Sequence, residues 1–252
     1  MKKLVVFSIV FTMYIIAAQA QDTRIVVRVK ALDAKFIGDN LGGAEVIIRD
    51  VLSDSVMARG FTRGTTGDTD LIMKEPRLRE KSIVTPETAA FLANLYIDEP
   101  RLINIEARSP LYNSGQNLVA SRRVWLVPGE HIENDGIILD LSGFLVRLVS
   151  PLPASETSAD QMKIMAQVMM MCGCPVAPEG LWDSDDYIIK AVIKTDKQIV
   201  KSIDLVNTGE KNMFSAGIDG LEPGYYTMYV YAFDPKTGNT GVDQTVFKII
   251  EN

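Results

Sequence analysis

The sequence predicts a mainly β protein, two tandem β-sandwich domains with one short Met-rich helix inserted in the second. Three observations carry this. Short runs dominated by β-branched and aromatic residues recur along most of the chain, Gly, Pro, Asn and Asp clusters separate them, and the pattern is interrupted near residue 143 before resuming with cleaner alternation. Length allows either one large domain or two smaller ones, so patterning decides.

Residues 1–20 read as a signal peptide. Lys2-Lys3 form a basic start, Leu4 to Ala17 is almost continuously apolar, and Ala18-Gln19-Ala20 is a small-x-small cleavage site before Gln21. The apolar stretch is shorter than the roughly 20 residues that cross a bilayer, which favours cleavage over anchoring. Cleavage takes twenty residues from 252, Lys2 and Lys3 among them, and so leaves 232 residues while moving the formal charge from −6 to −8. The expected location is periplasmic or secreted, with no transmembrane segment in the mature chain.

The first domain is expected over 21–142. Its strands are Thr23 to Lys30, Ala44 to Ile48, Leu102 to Ala107, Leu118 to Leu126 and Gly136 to Leu141, with turns at Gly42-Gly43, Gly64 to Gly67, Ser114-Gly115 and Pro128-Gly129. Residues near 73–100, including Arg77, Arg79 and Lys81, read as an insertion, a solvated basic loop or a contact for an anionic ligand. The second domain is expected over 143–252, with strands Tyr187 to Thr195, Ile199 to Val206, Asn212 to Ile218, Tyr225 to Phe233 and Val242 to Ile250. In Tyr225 to Phe233 both alternate sets are large and apolar or amphipathic, which predicts a central strand with little water on either face.

Leu41-Gly42-Gly43-Ala44-Glu45-Val46-Ile47-Ile48, then Ala58 to Thr62 and Thr66 to Thr69, resemble the start of a transthyretin-like or carboxypeptidase-regulatory-like β-sandwich. Leu221-Glu222-Pro223-Gly224-Tyr225-Tyr226, the strand end Tyr229 to Asp234 and Gly238 to Gly241 resemble a bacterial immunoglobulin-like domain. The Pro-Gly turn entering a tyrosine-rich strand is similar to a tyrosine corner, in which a phenol caps a buried backbone group. Both resemblances imply scaffolds without catalytic residues, used for binding, spacing or assembly.

Five of the 11 methionines lie within ten positions, Met162, Met165, Met169, Met170 and Met171, directly before Cys172-Gly173-Cys174-Pro175. Ser158 with Gln161 has capping-box spacing, and Gly173 with Pro175 would terminate a helix, so a helical insertion is expected near 158–173. On a helix, Met162, Met165, Met169 and Cys172 form one stripe. Either the stripe packs the helix against a sheet, or it joins Cys174 in a soft-metal site, since thioether and thiolate sulfur select Cu(I). A lone C-x-C without a nearby histidine is a weak metal motif, and a disulfide between the two cysteines would close too small a loop to staple a domain.

Other candidates are weaker. Asp183, Asp185 and Asp186 could bind Ca²⁺ but read first as a solvated turn, and His131, the one histidine, reads as a surface residue. Trp125 and Trp182 are either exposed anchors for a sugar or protein, or core residues. With 26 Lys+Arg against 32 Asp+Glu, the chain lacks the basic surplus that follows nucleic acid. The sequence therefore predicts a non-enzymatic exported binding or assembly protein that presents loops to a protein partner in the cell envelope and carries no cofactor. The alternative is a periplasmic copper(I)-handling protein that uses Met162, Met165, Met169, Cys172 and Cys174.

Overall fold

The computed structural model describes residues 19–111, 117–158 and 162–251. The expected signal peptide therefore lies almost entirely outside the described residues. Up to residue 141 the strands are β1 (Gln21–Ala31), β2 (Glu45–Asp50), β3 (Val56–Phe61), β4 (Phe91–Ile97), β5 (Arg101–Ser109), β6 (Leu118–Leu126) and β7 (Ile132–Leu141). From residue 144 they are β8 (Phe144–Ser150), β9 (Glu156–Ser158), β10 (Lys163–Met170), β11 (Ile188–Lys194), β12 (Ile199–Asp204), β13 (Val206–Asn207), β14 (Met213–Gly217), β15 (Gly224–Phe233) and β16 (Thr240–Ile250).

Four sheets form two sandwiches. In the first, sheet β4-β1-β7 faces sheet β3-β2-β5-β6, and in the second, sheet β13-β14-β10-β8 faces sheet β12-β11-β15-β16-β9. Pairing is antiparallel apart from β1 with β7 and β9 with β16. The alternating strands bury one face each: Ile25, Val27 and Val29 of β1 oppose Val46 and Ile48 of β2 and Ile103 and Ile105 of β5 across the first core, all at 0% exposure. In the second, Ile164, Ala166 and Val168 of β10 lie on the same core as Met228, Val230 and Ala232 of β15.

The mainly β architecture is as the sequence predicts, but the helix is not. Residues 163–170 are β10, paired with β14 on one side and β8 on the other. Ser158 closes β9, and 159–161 lie outside the described residues. The full apolar pattern explains the outcome: Met162, Ile164, Ala166, Val168 and Met170 are buried, while Lys163, Met165, Gln167 and Met169 are not, which is period two. Ile164 and Val168 are β-branched, and two neighbouring strands supply the backbone partners that a helix would otherwise provide internally.

Two further expectations change. The segment near 73–100 contains β4, whose Ala93, Leu95 and Ile97 are buried and which pairs with β1 over seven residues. What remains before it forms a small satellite core of Phe36, Ile72, Ile83 and Ala89. Likewise, β15 is central in its sheet but is not sealed on both faces: Tyr226, Met228, Val230 and Ala232 point inward, whereas Tyr225 is 71% exposed and Tyr229, Tyr231 and Phe233 are half-buried. The tyrosine corner is present. The Tyr226 hydroxyl donates to the Glu222 carbonyl at 2.8 Å, and its ring stacks on Phe247 at 5.7 Å.

Two side-chain amides and an indole clamp the two sandwiches together. Asn239, fully buried, donates to the Leu32 carbonyl at 3.0 Å and accepts from the Gly143 amide at 2.9 Å. The Trp182 indole donates to the Asp33 carbonyl at 2.8 Å, and Asn40 donates to the Cys172 carbonyl at 2.9 Å. One continuous set of buried apolar side chains runs through both sandwiches.

Candidate functional site

The sulfur-rich segment sits at this junction. Cys172 and Cys174 are joined in a disulfide and both are buried, so neither presents a thiolate. Gly173 between them has φ +80 and packs so closely that a Cβ would stand 2.8 Å from Asn40 Nδ2 and 3.3 Å from Leu41, so the turn needs glycine both for its backbone and for the contact. The five sulfur residues expected to act together are not one set. Met162 is buried just before β10, Met165 and Met169 belong to its outward row, and Cys172 and Cys174 to the buried turn beyond. Met169 instead lines a groove of about 230 Å³ with Leu41, Leu145, Arg147 and Gln167, where the two sandwiches meet. Among the described residues, no three His, Cys, Asp or Glu side chains are grouped to hold a metal ion.

The acidic turn after the cysteines is spent locally. Asp183 accepts from the Asp185 amide at 3.1 Å, and Asp186 pairs with Lys236 at 2.7 Å. Nearby, burial and then the charge of Asp234 push the Asp33 carboxyl above its usual range, with Lys30 and Lys236 opposing. The Tyr187 phenol, packed edge-on against Phe144 at 5.0 Å, is pushed far up by burial and by Asp234, Asp33, Asp186 and Asp183. His131 is exposed, and its Nδ1 accepts from the Arg24 amide at 3.1 Å.

The basic loop forms one wall of a polar cavity of about 660 Å³ lined by Arg28, Arg79, Lys81, Glu133 and Asp135 among others. Its charges balance locally: Lys81 pairs with Glu75, Arg24 with Glu133 at 3.2 Å, and Ser82 donates to Asp135. Arg28 is buried, which lowers its pKa against the raising effect of Asp135, and its guanidinium donates to the carbonyls of Thr88, Ala89 at 3.1 Å and Asn134 at 3.4 Å. These bonds tie the loop to β1, so Arg28 acts as a strut.

An exposed tryptophan and two exposed arginines lie together on β6. This strand is at a sheet edge, bonded among the described strands to β5 alone, with Trp125 opposite Leu102 and Arg123 opposite Asn104. Trp125 is 63% exposed, with Val119 and Val127 also exposed nearby in sequence. Arg122 and Arg123 are exposed, one toward each face, and neither forms an ion pair among the described residues. Trp182, by contrast, is buried. The signal for this division was local: two consecutive arginines put a charge on both faces of a strand, which only an edge tolerates. The composition of Trp125 alone could not separate anchor from core.

Fold and exposed edge together define a tandem β-sandwich protein with a basic, aromatic edge strand. No protein-family profile matches the chain. Curated protein sequences also yield no match. Among solved structures, fibronectin(III)-like modules of Clostridium thermocellum CbhA are similar at 13% identity, over 91% of this chain and 86% of that one, with a TM-score of 0.27. The chicken interferon gamma receptor alpha chain is similar at 10% identity, over 94% of this chain and 100% of that one, with a TM-score of 0.31. Superpositions this loose carry no functional argument, and the sandwich assignment rests on the sheets described above. Among the described residues no helix is long and apolar enough to cross a membrane.

Proposed function

We propose that this is an exported, non-enzymatic binding protein whose two clamped sandwiches present the β6 edge to a protein partner in the cell envelope. The observation that carries the proposal is Trp125, 63% exposed on an edge strand beside two arginines without ion pairs among the described residues. Tryptophan and arginine are the side chains that most often dominate interface energetics, and an edge strand offers unpaired backbone groups for strand addition. The partner surface that fits is extended, acidic and apolar at one position. Export rests on the Lys2 to Ala20 pattern, and the transthyretin-like reading of the first sandwich rests on Glu45 to Asp50 and Val56 to Phe61, which pair as adjacent strands.

The test is crosslinking and recovery of the tagged protein from its native envelope, beside Trp125→Ala and Arg123→Ala variants. A discrete partner retained by the natural chain and lost from both variants is expected. Identical recovery in all three would overturn the assignment to β6. Intact mass of the exported chain should correspond to a start at Gln21.

A further inference from the structure

The outward face of the five-stranded sheet does not resemble an ordinary solvent face. On an antiparallel sheet packed on one side, the alternate residues facing water are normally polar. On β15 they are Tyr225, Thr227, Tyr229, Tyr231 and Phe233, four aromatics in five positions. Register extends the apolar character sideways: Tyr229 is opposite Val192 of β11, Tyr231 opposite Val242 of β16, and Thr227 opposite Val246. Val242 is 46% and Val246 52% exposed.

We infer that this face is a homodimer interface, packed against the same face of a second copy of the chain. Two observations select that occupant. The first is charge. Lys190 is paired with Asp204 of the neighbouring strand at 3.1 Å and Lys248 with Glu156 at 2.8 Å, while Lys194 lies 5.5 Å from the centre of the Tyr229 ring. Two of these three lysine charges are matched within the same sheet and the third, Lys194, rests on an aromatic ring, so the face as a whole does not call for an acidic partner. An apolar centre between largely paired rims suits a self-complementary twofold contact.

The second observation is size. The β15–β16 register spans ten pairs, from Gly224 to Phe233, and the β11–β15 register seven. With strands about 4.8 Å apart and about 3.4 Å per residue, the five-stranded face covers roughly 600–800 Å². Interfaces of standard size bury about 600–1,000 Å² per partner, so the face reaches the lower part of that range when the whole of it is covered. Two twisted sheets stacked about 10 Å apart with strands roughly aligned would interleave the tyrosines of one copy with the valines of the other.

This inference deepens the proposed binding function by adding self-assembly at a surface separate from β6. Sedimentation and light scattering of the mature chain across low to high micromolar concentration should show a monomer–dimer equilibrium. Tyr231→Glu and Val246→Glu, both at water-facing positions, should weaken it by about tenfold or more, the equivalent of about 1.4 kcal/mol. Trp125→Ala should leave it unchanged. Footprinting of the natural chain gives a readout independent of variant folding: Tyr225, Tyr229 and Tyr231 become protected as concentration rises, while Tyr96 on the first sandwich does not. A chain that stays monomeric throughout, or a dimer indifferent to the face variants, overturns the inference. If the chain is monomeric yet recovers a Trp125-dependent partner, the dimer fails while the binding function stands.

Discussion

Strands β10 and β15 invite comparison, because both are apolar at nearly every position and they lie in opposing sheets of one sandwich. In β10 the inward row is Ile164, Ala166, Val168 and Met170, all fully buried, and the outward row mixes Met165 and Met169 with Lys163 and Gln167. In β15 the inward row is as closed, but the outward row is aromatic. Methionine on an outer row adapts to a shallow groove beside Leu41 and Leu145. A row of rigid rings offers a flat surface instead. The two strands therefore share an inner chemistry and differ in what they present outward, one closing a junction and the other facing solvent or a second molecule.

Inward positions should give the largest effects. Met170→Ala and Met228→Ala should each cost about 2–5 kcal/mol in urea unfolding, since both side chains are fully buried. If a helix with a sulfur stripe were correct after all, Met165→Ala and Met169→Ala would cost as much as Met162→Ala. The strand requires the two outward substitutions to fall well below it.

The ends of the two strands come next. Beyond β10, replacing Cys172 and Cys174 together with alanine should cost about 1–2 kcal/mol, because the bond closes a very short loop. Thiol titration of the natural chain should find no reactive cysteine even in denaturant and two after reduction. Thiols that react in the folded chain without reduction would reopen the copper(I) alternative, whereas thiols that appear only on unfolding would mark buried, inert cysteines and exclude it. At the start of β15, Tyr226→Phe removes the hydroxyl bonded to Glu222 and should cost about 1 kcal/mol.

The smallest effect concerns pH at the junction, where the Trp182 indole bonds the Asp33 carbonyl. Asp33 has a raised carboxyl pKa in the folded chain, from burial first and Asp234 second. A raised carboxyl binds its proton more tightly folded than unfolded, so its contribution to stability is fully present below the unfolded pKa and lost as pH rises through the folded one. Asp33→Asn should therefore flatten that decline, checked by thermal melts across the mildly acidic range. Unchanged pH dependence would remove Asp33 from the account.

Much of the architecture was legible because single-face burial writes itself into alternation. Leu118 to Leu126 and Tyr225 to Phe233 could be read as strands from the sequence alone, and the Pro223-Gly224 turn pointed to the hydroxyl contact that Tyr226 makes. β10 was illegible for a definite reason. Tracking methionine alone selects positions 162, 165 and 169, whereas burial also depends on Ile164, Ala166 and Val168, and the β8 and β14 partners that stabilise an extended chain are distant in sequence. β4 was hidden by the polar loop before it. For the site, Trp125 and Trp182 are equivalent by residue type, and only their surroundings separate an exposed edge from an indole bonded to the Asp33 carbonyl.

Asn239 gives the molecule a mechanical character. A single buried amide holds Leu32 of one sandwich and Gly143 at the start of the other. A hinge between the sandwiches cannot turn there without breaking the Leu32 bond, while the Gly143 bond fixes the amide within the second sandwich. The proposed partner on β6 and a second copy on β15 would consequently be kept at a set distance and angle, with the chain as a ruler between them rather than a tether.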